Sequence, residues 1–90
     1  MRMDKYLKTA RILKRRTIAK ELADNNRITL NERIAKPSSE VSVGDVISIT
    51  FGNRKLTIRV LSVEETQKKN EASEMYEILS QTVIDEEGKQ

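Results

Sequence analysis

Residues 14–30 decide the fold, and they read KRRTIAKELADNNRITL. Three cations come first, apolar residues at helical spacing follow, and alternating apolar and polar residues close the segment. Thr17 is a good N-cap for a helix, and Asn25-Asn26 suits the left-handed turn that ends one. From Ile28 the apolar period changes from 3.6 to 2, which indicates a strand. The segment therefore predicts a basic turn, a short helix and the first strand of a sheet.

Upstream of this segment, a first helix is predicted from about Lys5 to Leu13, with Asp4 as its N-cap. A second interpretation of Asp4 is that its carboxylate orients Arg2 or Arg16, but a cap explains the residue without any function. The apolar stripe of this helix consists of Met3, Leu7, Ala10 and Leu13, with Tyr6 beside it as a predicted core residue. The second helix is predicted to face inward with Ile18, Ala19, Leu22 and Ala23.

Downstream, the apolar alternation predicts a small, mostly antiparallel sheet. The predicted features are a turn at Asn31-Glu32, a return strand from Ile34, a loop at 37–39, alternation at Val41 and Val43, a strand from Val46 to Phe51, a hairpin turn at Gly52-Asn53, and a strand through Leu56, Ile58 and Val60 with Leu61 and Val63. A short helix over 71–79 carries Ala72, Met75, Tyr76 and Leu79 on one side, and the acidic end 85–90 is expected to fray. This order predicts an α+β domain with two short N-terminal helices packed on the sheet.

The composition excludes several classes of function. Ninety residues make one domain, and the chain has no cysteine and no histidine. It therefore has no thiol nucleophile, no usual zinc ligand set and no histidine base, and no catalytic cluster of other residues is visible. We expect a protein that is not an enzyme and uses no metal or cofactor. No apolar stretch approaches the ~18 residues of a membrane span and no secretory signal precedes the domain, so we expect a soluble cytoplasmic protein with no membrane partner.

Charge is distributed unevenly along the chain. Residues 1–36 hold eleven Lys or Arg against four Asp or Glu, a net charge of +7. Residues 37–90 hold six Lys or Arg against ten Asp or Glu, a net charge of −4. Such asymmetry indicates a surface that faces a polyanion and an acidic back, the alternative being surface charge that only confers solubility.

The cations are placed to follow a line of phosphates. Lys5, Lys8 and Arg11 recur every three residues on the polar side of the first predicted helix. The basic turn lies before the second helix, whose free N–H groups and positive dipole end attract phosphate. The candidate RNA-binding residues are Arg2, Lys5, Lys8, Arg11, Lys14, Arg15, Arg16, Thr17, Lys20 and Arg27. Basic composition alone does not separate RNA from DNA, but three aromatic residues provide no platform for stacking single-stranded bases.

The order of four short motifs resembles the S4 RNA-binding domain. They are Arg2-Met3-Asp4, Lys14-Arg15-Arg16-Thr17, the run NRITLNE at 26–32, and Gly44-Asp45-Val46-Ile47. The resemblance covers residues 2–50 and implies the S4-type (αL) fold, in which two helices and a hairpin recognise folded RNA by shape. Two positions depart from the family, which usually has glycine where Asn26 and Glu32 stand. Because Glu is poorly suited to positive φ, we expect the Asn31-Glu32 turn to adopt another type or to lengthen by one residue.

Over its whole length the chain resembles the RqcP family, stand-alone S4 proteins related to the small heat-shock S4 protein. This resemblance implies an S4 RNA-binding domain with a completing strand pair at 1–63 and a C-terminal helix and acidic tail at 64–90. It further implies binding to a large ribosomal subunit that carries peptidyl-tRNA, with contacts to 23S rRNA and tRNA. It also implies that the protein supports C-terminal alanine tailing of stalled chains there, by a partner factor in ribosome-associated quality control. Off the ribosome we expect a monomer. The resemblance assigns RNA contact to Arg2 and Arg16, with Lys5, Lys8, Arg11 and Arg15 in support.

Three alternatives remain at this point. The first is a generic S4 protein that binds tRNA or rRNA in ribosome assembly or recycling. The second is an S4 domain from an enzyme, since such domains are also appended to pseudouridine synthases and tyrosyl-tRNA synthetases. The third is a protein–protein adaptor, which only the acidic second half favours.

Overall fold

A computed structural model describes residues 1–64 and 74–83 of the chain. The helices and strands are α1 (Met3–Thr9), α2 (Arg16–Asp24), β1 (Ile28–Leu30), β2 (Arg33–Ile34), β3 (Val46–Phe51), β4 (Arg54–Val60) and β5 (Tyr76–Val83). The five strands form one sheet in the order β2-β1-β3-β4-β5, and every neighbouring pair is antiparallel. The predicted fold class, two helices packed on a mostly antiparallel sheet, is confirmed. Neither helix in the described ranges is long or apolar enough to cross a membrane.

Helix α1 begins earlier and ends earlier than predicted. Its N-cap is Arg2 and has no side-chain cap, so the prediction that Asp4 caps the helix is wrong. The first N–H groups instead donate to carbonyls of the 37–39 loop, from the Met3 nitrogen to the Ser39 oxygen at 2.8 Å and from the Asp4 nitrogen to the Pro37 oxygen at 3.1 Å. Because those carbonyls satisfy donors that a helix leaves unpaired, no side-chain cap is needed.

Both helices end through the same backbone motif. Asn26 takes a left-handed φ of 60° after α2, as predicted, and Arg11 takes a φ of 61° after α1. In each case the third residue past the helix closes a 6→1 bond, from the Arg27 nitrogen to the Leu22 oxygen at 2.8 Å and from the Ile12 nitrogen to the Leu7 oxygen at 3.0 Å. This is the Schellman arrangement, which does not require glycine. Arg11 therefore ends α1 and does not continue the helical column of Lys5 and Lys8.

Helix α2 begins at Arg16 with Arg15 as its N-cap, and the N-cap has no side-chain bond. The prediction of Thr17 as the cap is therefore wrong by two residues. Ala19 and Ala23 are buried as predicted and Leu22 packs partly against the core, whereas Ile18 is exposed.

The apolar core lies between the helices and one face of the sheet. Ile47 on β3 is paired with Leu30 on one side and with Ile58 on the other, so apolar residues form a row across three strands. On β3, Ile47 and Ile49 are fully buried, and Phe51 packs against the same core. The buried side chains contributed by the rest of the described chain include Met3, Tyr6, Leu7, Ala10, Ile28, Val41, Val60 and Met75.

Tyr6 is core, as predicted, and it connects α1 to the start of β5. Its hydroxyl donates to the Met75 carbonyl oxygen at 2.8 Å in a buried position. Burial raises the pKa of Tyr6, and the nearby Tyr76 adds a smaller increase. The hydroxyl therefore keeps its proton and remains a hydrogen-bond donor at neutral pH.

From Tyr76 onward the predicted C-terminal helix is a strand, and the two described residues before it, Glu74 and Met75, are in a 3₁₀ turn. Tyr76–Val83 forms β5, which pairs antiparallel with β4 and shifts register at Thr57/Ile58. The β-branched residues Ile78, Thr82 and Val83 suit an extended strand, and pairing with the edge of β4 outweighs the weak helical spacing of the sequence. The rest of that predicted helix and the predicted frayed end, 71–73 and 85–90, lie outside the described residues.

Two smaller predictions about strands are also corrected. No strand forms around Val41 and Val43, where the described chain has only an isolated bridge between Arg2 and Glu40. Val41 is buried and Val43 is exposed. Strand β4 ends at Val60, so Leu61 and Val63 lie beyond it.

Candidate nucleic-acid interface

The centre of the candidate interface is a buried carboxylate between two arginines. Asp4 lies in the first turn of α1, and Arg16 opens α2. Asp4 accepts from Arg2 at 3.3 Å (Nε to Oδ1) and 3.2 Å (Nη2 to Oδ2), and from Arg16 at 3.2 Å (Nη2 to Oδ1). The second interpretation of Asp4, as the residue that orients the arginines, therefore replaces the cap. We call these three residues the arginine pair and its aspartate.

This arrangement leaves both guanidinium groups available to a ligand. The side chain of Asp4 is 6% exposed, whereas those of Arg2 and Arg16 are 53% and 46% exposed. A guanidinium has five N–H donors, more than either arginine uses on Asp4. Since one negative charge stands against two positive ones, the cluster keeps a net positive charge and a planar donor geometry that suits phosphate.

The other predicted RNA-binding residues surround this cluster or lie further along the basic half. Lys8 is exposed on α1, Lys5 is partly buried there, and Arg11 is exposed just past its end. Lys14, Arg15, Thr17, Lys20 and Arg27 are all exposed on or beside α2. Arg2 and Arg16 are joined through their hydrogen bonds to Asp4, and Arg2 and Lys20 line the same cleft, which is described below. The described contacts bring none of Lys8, Arg11, Lys14, Arg15 or Arg27 to that cluster.

The hairpin turn between β1 and β2 contains two residues. Asn31 and Glu32 both take left-handed φ values, 53° and 71°, so the expectation of a longer turn or one of another type is wrong. Two positive φ values are the pattern of a type I′ hairpin. The Asn31 amide anchors the turn, since its Nδ2 donates to Asp45 Oδ1 at 3.1 Å and its Oδ1 accepts from the Val46 nitrogen at 2.9 Å.

One feature of this face was missed in the sequence. A cleft of about 500 Å³ opens between α2 and the segment 34–38. It is lined by Lys36, Ile34 and Pro37 as well as by the predicted residues Arg2 and Lys20. The only signal in the sequence is that Lys36-Pro37 follows a strand, which does not indicate a cleft by itself.

A family model for the S4 domain matches residues 1–47, slightly more than half of the chain. The matched range contains both helices, the β1–β2 hairpin and the arginine pair with its aspartate. The chain belongs to the S4 domain family. Its fold is the one that the resemblance to this domain implied.

Relatives of this S4 protein match it over nearly the full length. The "RQC P-site tRNA stabilizing factor" of Streptococcus pneumoniae is 50% identical and covers 96% of this chain and 98% of its own. The protein with the same name from Bacillus subtilis is 46% identical and covers 96% of this chain and 100% of its own. These matches confirm the resemblance to the RqcP family.

A solved structure shares the fold. The trimeric structure of heat shock protein 15 from Vibrio cholerae superposes with a TM-score of 0.80 at 28% identity, covering 89% of this chain and 82% of that one. Heat shock protein 15 of Escherichia coli is 30% identical over 92% of this chain and 63% of its own. The family and its relatives support a ribosome-associated, RNA-binding role for this chain.

Proposed function

We propose that this protein is a non-catalytic factor that binds the large ribosomal subunit while the subunit carries peptidyl-tRNA. It contacts 23S rRNA and tRNA through the arginine pair and the surrounding cations. By holding this complex together it supports the addition of alanine tails to stalled chains by a partner factor in the cytoplasm. Off the ribosome we expect a monomer in which residues 1–63 carry the RNA-binding surface.

One observation carries this proposal. The arginine pair is fixed on its buried aspartate in a chain that is 50% identical, over 96% of its length, to a factor named for stabilising P-site tRNA. Fixed guanidinium groups lose little side-chain freedom when they bind phosphate, so they favour a structured RNA backbone of matching shape. The scarcity of aromatic side chains agrees with recognition by shape rather than by stacking of single-stranded bases.

The test is co-sedimentation of tagged protein from lysate, followed by sequencing of the associated RNA. We expect recovery with large subunits that carry peptidyl-tRNA. Replacing Arg16 by alanine removes one charge-assisted phosphate contact, so we expect recovery and RNA affinity to fall about tenfold. We expect a smaller loss of thermal stability, because Arg2 still donates two hydrogen bonds to Asp4. Exclusive recovery with small subunits or free tRNA would instead indicate the generic RNA-binding role, and recovery without ribosomal RNA would contradict both.

The chain offers a matched control in Arg59. Its side chain is 49% exposed and forms an ion pair with Glu77 at 3.1 Å, much as Arg16 is 46% exposed and pairs with Asp4 at 3.2 Å. Arg59 lies on β4 between the buried residues Ile58 and Val60, so its side chain is on the face of the sheet opposite the core. Arg59→Ala removes the same charge as Arg16→Ala. Because Arg59 is not part of the arginine pair, we expect recovery with the large subunit to be unchanged. Equal losses in the two variants would show that overall charge, and not the arginine pair, determines binding.

A further inference from the structure

The cleft beside the arginine pair combines an apolar floor with a cationic rim. Ala23 of α2 and Ala35 after β2 are buried at its base, while Ile34 and Pro37 add apolar surface on one side. A volume of about 500 Å³ falls within the range of cavities that hold small ligands.

The rim of the cleft is rich in positive charge. Three cations, Arg2, Lys20 and Lys36, line it together with a single acid, Asp24. Arg2 also belongs to the arginine pair, so the cleft and the pair form one continuous surface. A ligand seated in the cleft therefore lies next to the groups that are expected to contact phosphates.

The loop that forms one wall of the cleft is held in place by hydrogen bonds. The Lys36 nitrogen donates to Ser39 Oγ and the Ser39 nitrogen donates to the Lys36 oxygen, both at 2.9 Å. The Pro37 and Ser39 carbonyls are also bound by the first N–H groups of α1. Because these bonds fix the wall, the cleft is formed in advance of any ligand, which lowers the entropic cost of binding.

A nucleotide matches this combination of features. Its base has flat apolar faces that can pack against the side formed by Ile34 and Pro37, and its phosphate carries negative charge that the cations of the rim attract. The polar groups of Asn26 and Ser38 also line the cleft and have the chemistry to pair with the edge of a base. In folded RNA such a nucleotide is available where a bulge or loop leaves a base unstacked.

We propose that this cleft receives one unpaired nucleotide of the bound RNA, with the base against Ile34 and Pro37 and the phosphates at Arg2, Lys20 and Lys36. The inference rests on the proposed RNA-binding function and adds a site that distinguishes a bulged RNA from a fully paired one. The surrounding cations supply affinity for any RNA backbone, whereas the cleft supplies preference for an extruded base.

The test compares two synthetic RNA hairpins of equal length with the full chain, by fluorescence anisotropy at one salt concentration. One hairpin is fully paired and the other carries a single-nucleotide bulge. Burial of one base face against apolar side chains predicts about fivefold to tenfold tighter binding of the bulged hairpin. Ile34→Ser removes most of that apolar surface. We therefore expect this variant to bind the two hairpins with equal affinity, while its affinity for the fully paired hairpin changes little.

Val43 provides the control, since it is 63% exposed and outside the cleft, whereas Ile34 is 61% exposed within it. Val43→Ser is expected to keep the preference for the bulge. Thermal unfolding of each variant checks that it is folded. Ile34→Thr keeps a β-branched residue in β2, and we expect it to reduce the preference for the bulged hairpin less than Ile34→Ser does.

Two results would overturn the inference. Equal affinity of the wild-type chain for the two hairpins would exclude the nucleotide site while leaving RNA binding intact. Binding to neither hairpin would contradict the RNA-binding function itself and the nucleotide site with it.

Discussion

The helical half of the domain and the β4–β5 end of the sheet each contain a half-exposed arginine in an ion pair, and the two sites differ in the burial of the acid. Asp4 is 6% exposed and holds two arginines, whereas Glu77 is 47% exposed and pairs with Arg59 alone. An exposed pair contributes about 0 to 1 kcal/mol because solvent screens it and both side chains must be ordered. A buried carboxylate has to be satisfied by its partners, so it fixes their positions. Similar N–O distances therefore join a buried carboxylate to two arginines in the helical half and an exposed carboxylate to one arginine at the β4–β5 end.

The largest expected effect that tests this comparison is the response to salt. If about six cations of the basic half contact phosphates, RNA affinity is expected to fall about a thousandfold between 50 and 200 mM salt. Removing one such contact with Arg16→Ala is expected to reduce the slope of log K against log salt by about 0.9. Titrations by fluorescence anisotropy across this range measure both quantities.

Arg59→Ala serves as the control for the salt experiment and is expected to keep the full slope. A fall of less than tenfold for the wild-type chain would contradict a binding surface made of several phosphate contacts. In that case few of the exposed cations reach RNA.

The second test addresses stability at the β5 end. Met75 is fully buried just before that strand, so Met75→Ala leaves a cavity and is expected to lower the free energy of unfolding by about 3 kcal/mol. Ile78 on the same strand is 54% exposed, and Ile78→Ala is expected to cost less than about 1 kcal/mol. Urea denaturation monitored by circular dichroism measures both values. Equal small losses would show that β5 contributes little to the core.

The smallest expected effect separates positioning from charge at the arginine pair. Asp4→Asn raises the net charge by one unit, so simple attraction to phosphate predicts tighter RNA binding. If the carboxylate positions Arg2 and Arg16, affinity instead falls about threefold to fivefold, and stability falls by about 1 to 2 kcal/mol as charged hydrogen bonds are lost.

The matched control is Glu77→Gln, which raises the net charge by the same amount at the exposed ion pair. It is expected to leave RNA affinity unchanged or slightly higher. Stronger binding by Asp4→Asn would show that Asp4 opposes RNA binding through its charge and does not support it through geometry.

Patterns along the chain predicted the regular parts of the fold because local chemistry decides them. Alternation at 46–51 and the hairpin signal at Gly52-Asn53 predicted β3 and its partner strand, and the structure has both. Asn26 was identified as a helix terminus because Asn tolerates a left-handed φ. Arg11 adopts the same φ and was missed, since nothing in an arginine side chain favours that conformation.

The hairpin at Asn31-Glu32 shows how tertiary contacts override a local preference. Glu is disfavoured at positive φ, which predicted a different turn. The Asn31 side chain bonds to Asp45 and to the Val46 nitrogen, at the far side of an intervening loop. These bonds fix the short turn, and no local pattern contains them.

The sequence by itself determined the class of fold, the basic half and the motif order that indicates an S4 domain, since each depends on residue type and spacing. Only the tertiary structure decided the role of Asp4. The 37–39 loop, more than thirty residues away, takes the N–H groups at the start of α1, and the carboxylate is left to pair with the two arginines. The same holds for β5, where the edge of β4 supplied backbone partners to residues whose spacing alone predicted a helix. Both outcomes depend on which distant groups meet, and residue spacing carries no information about that.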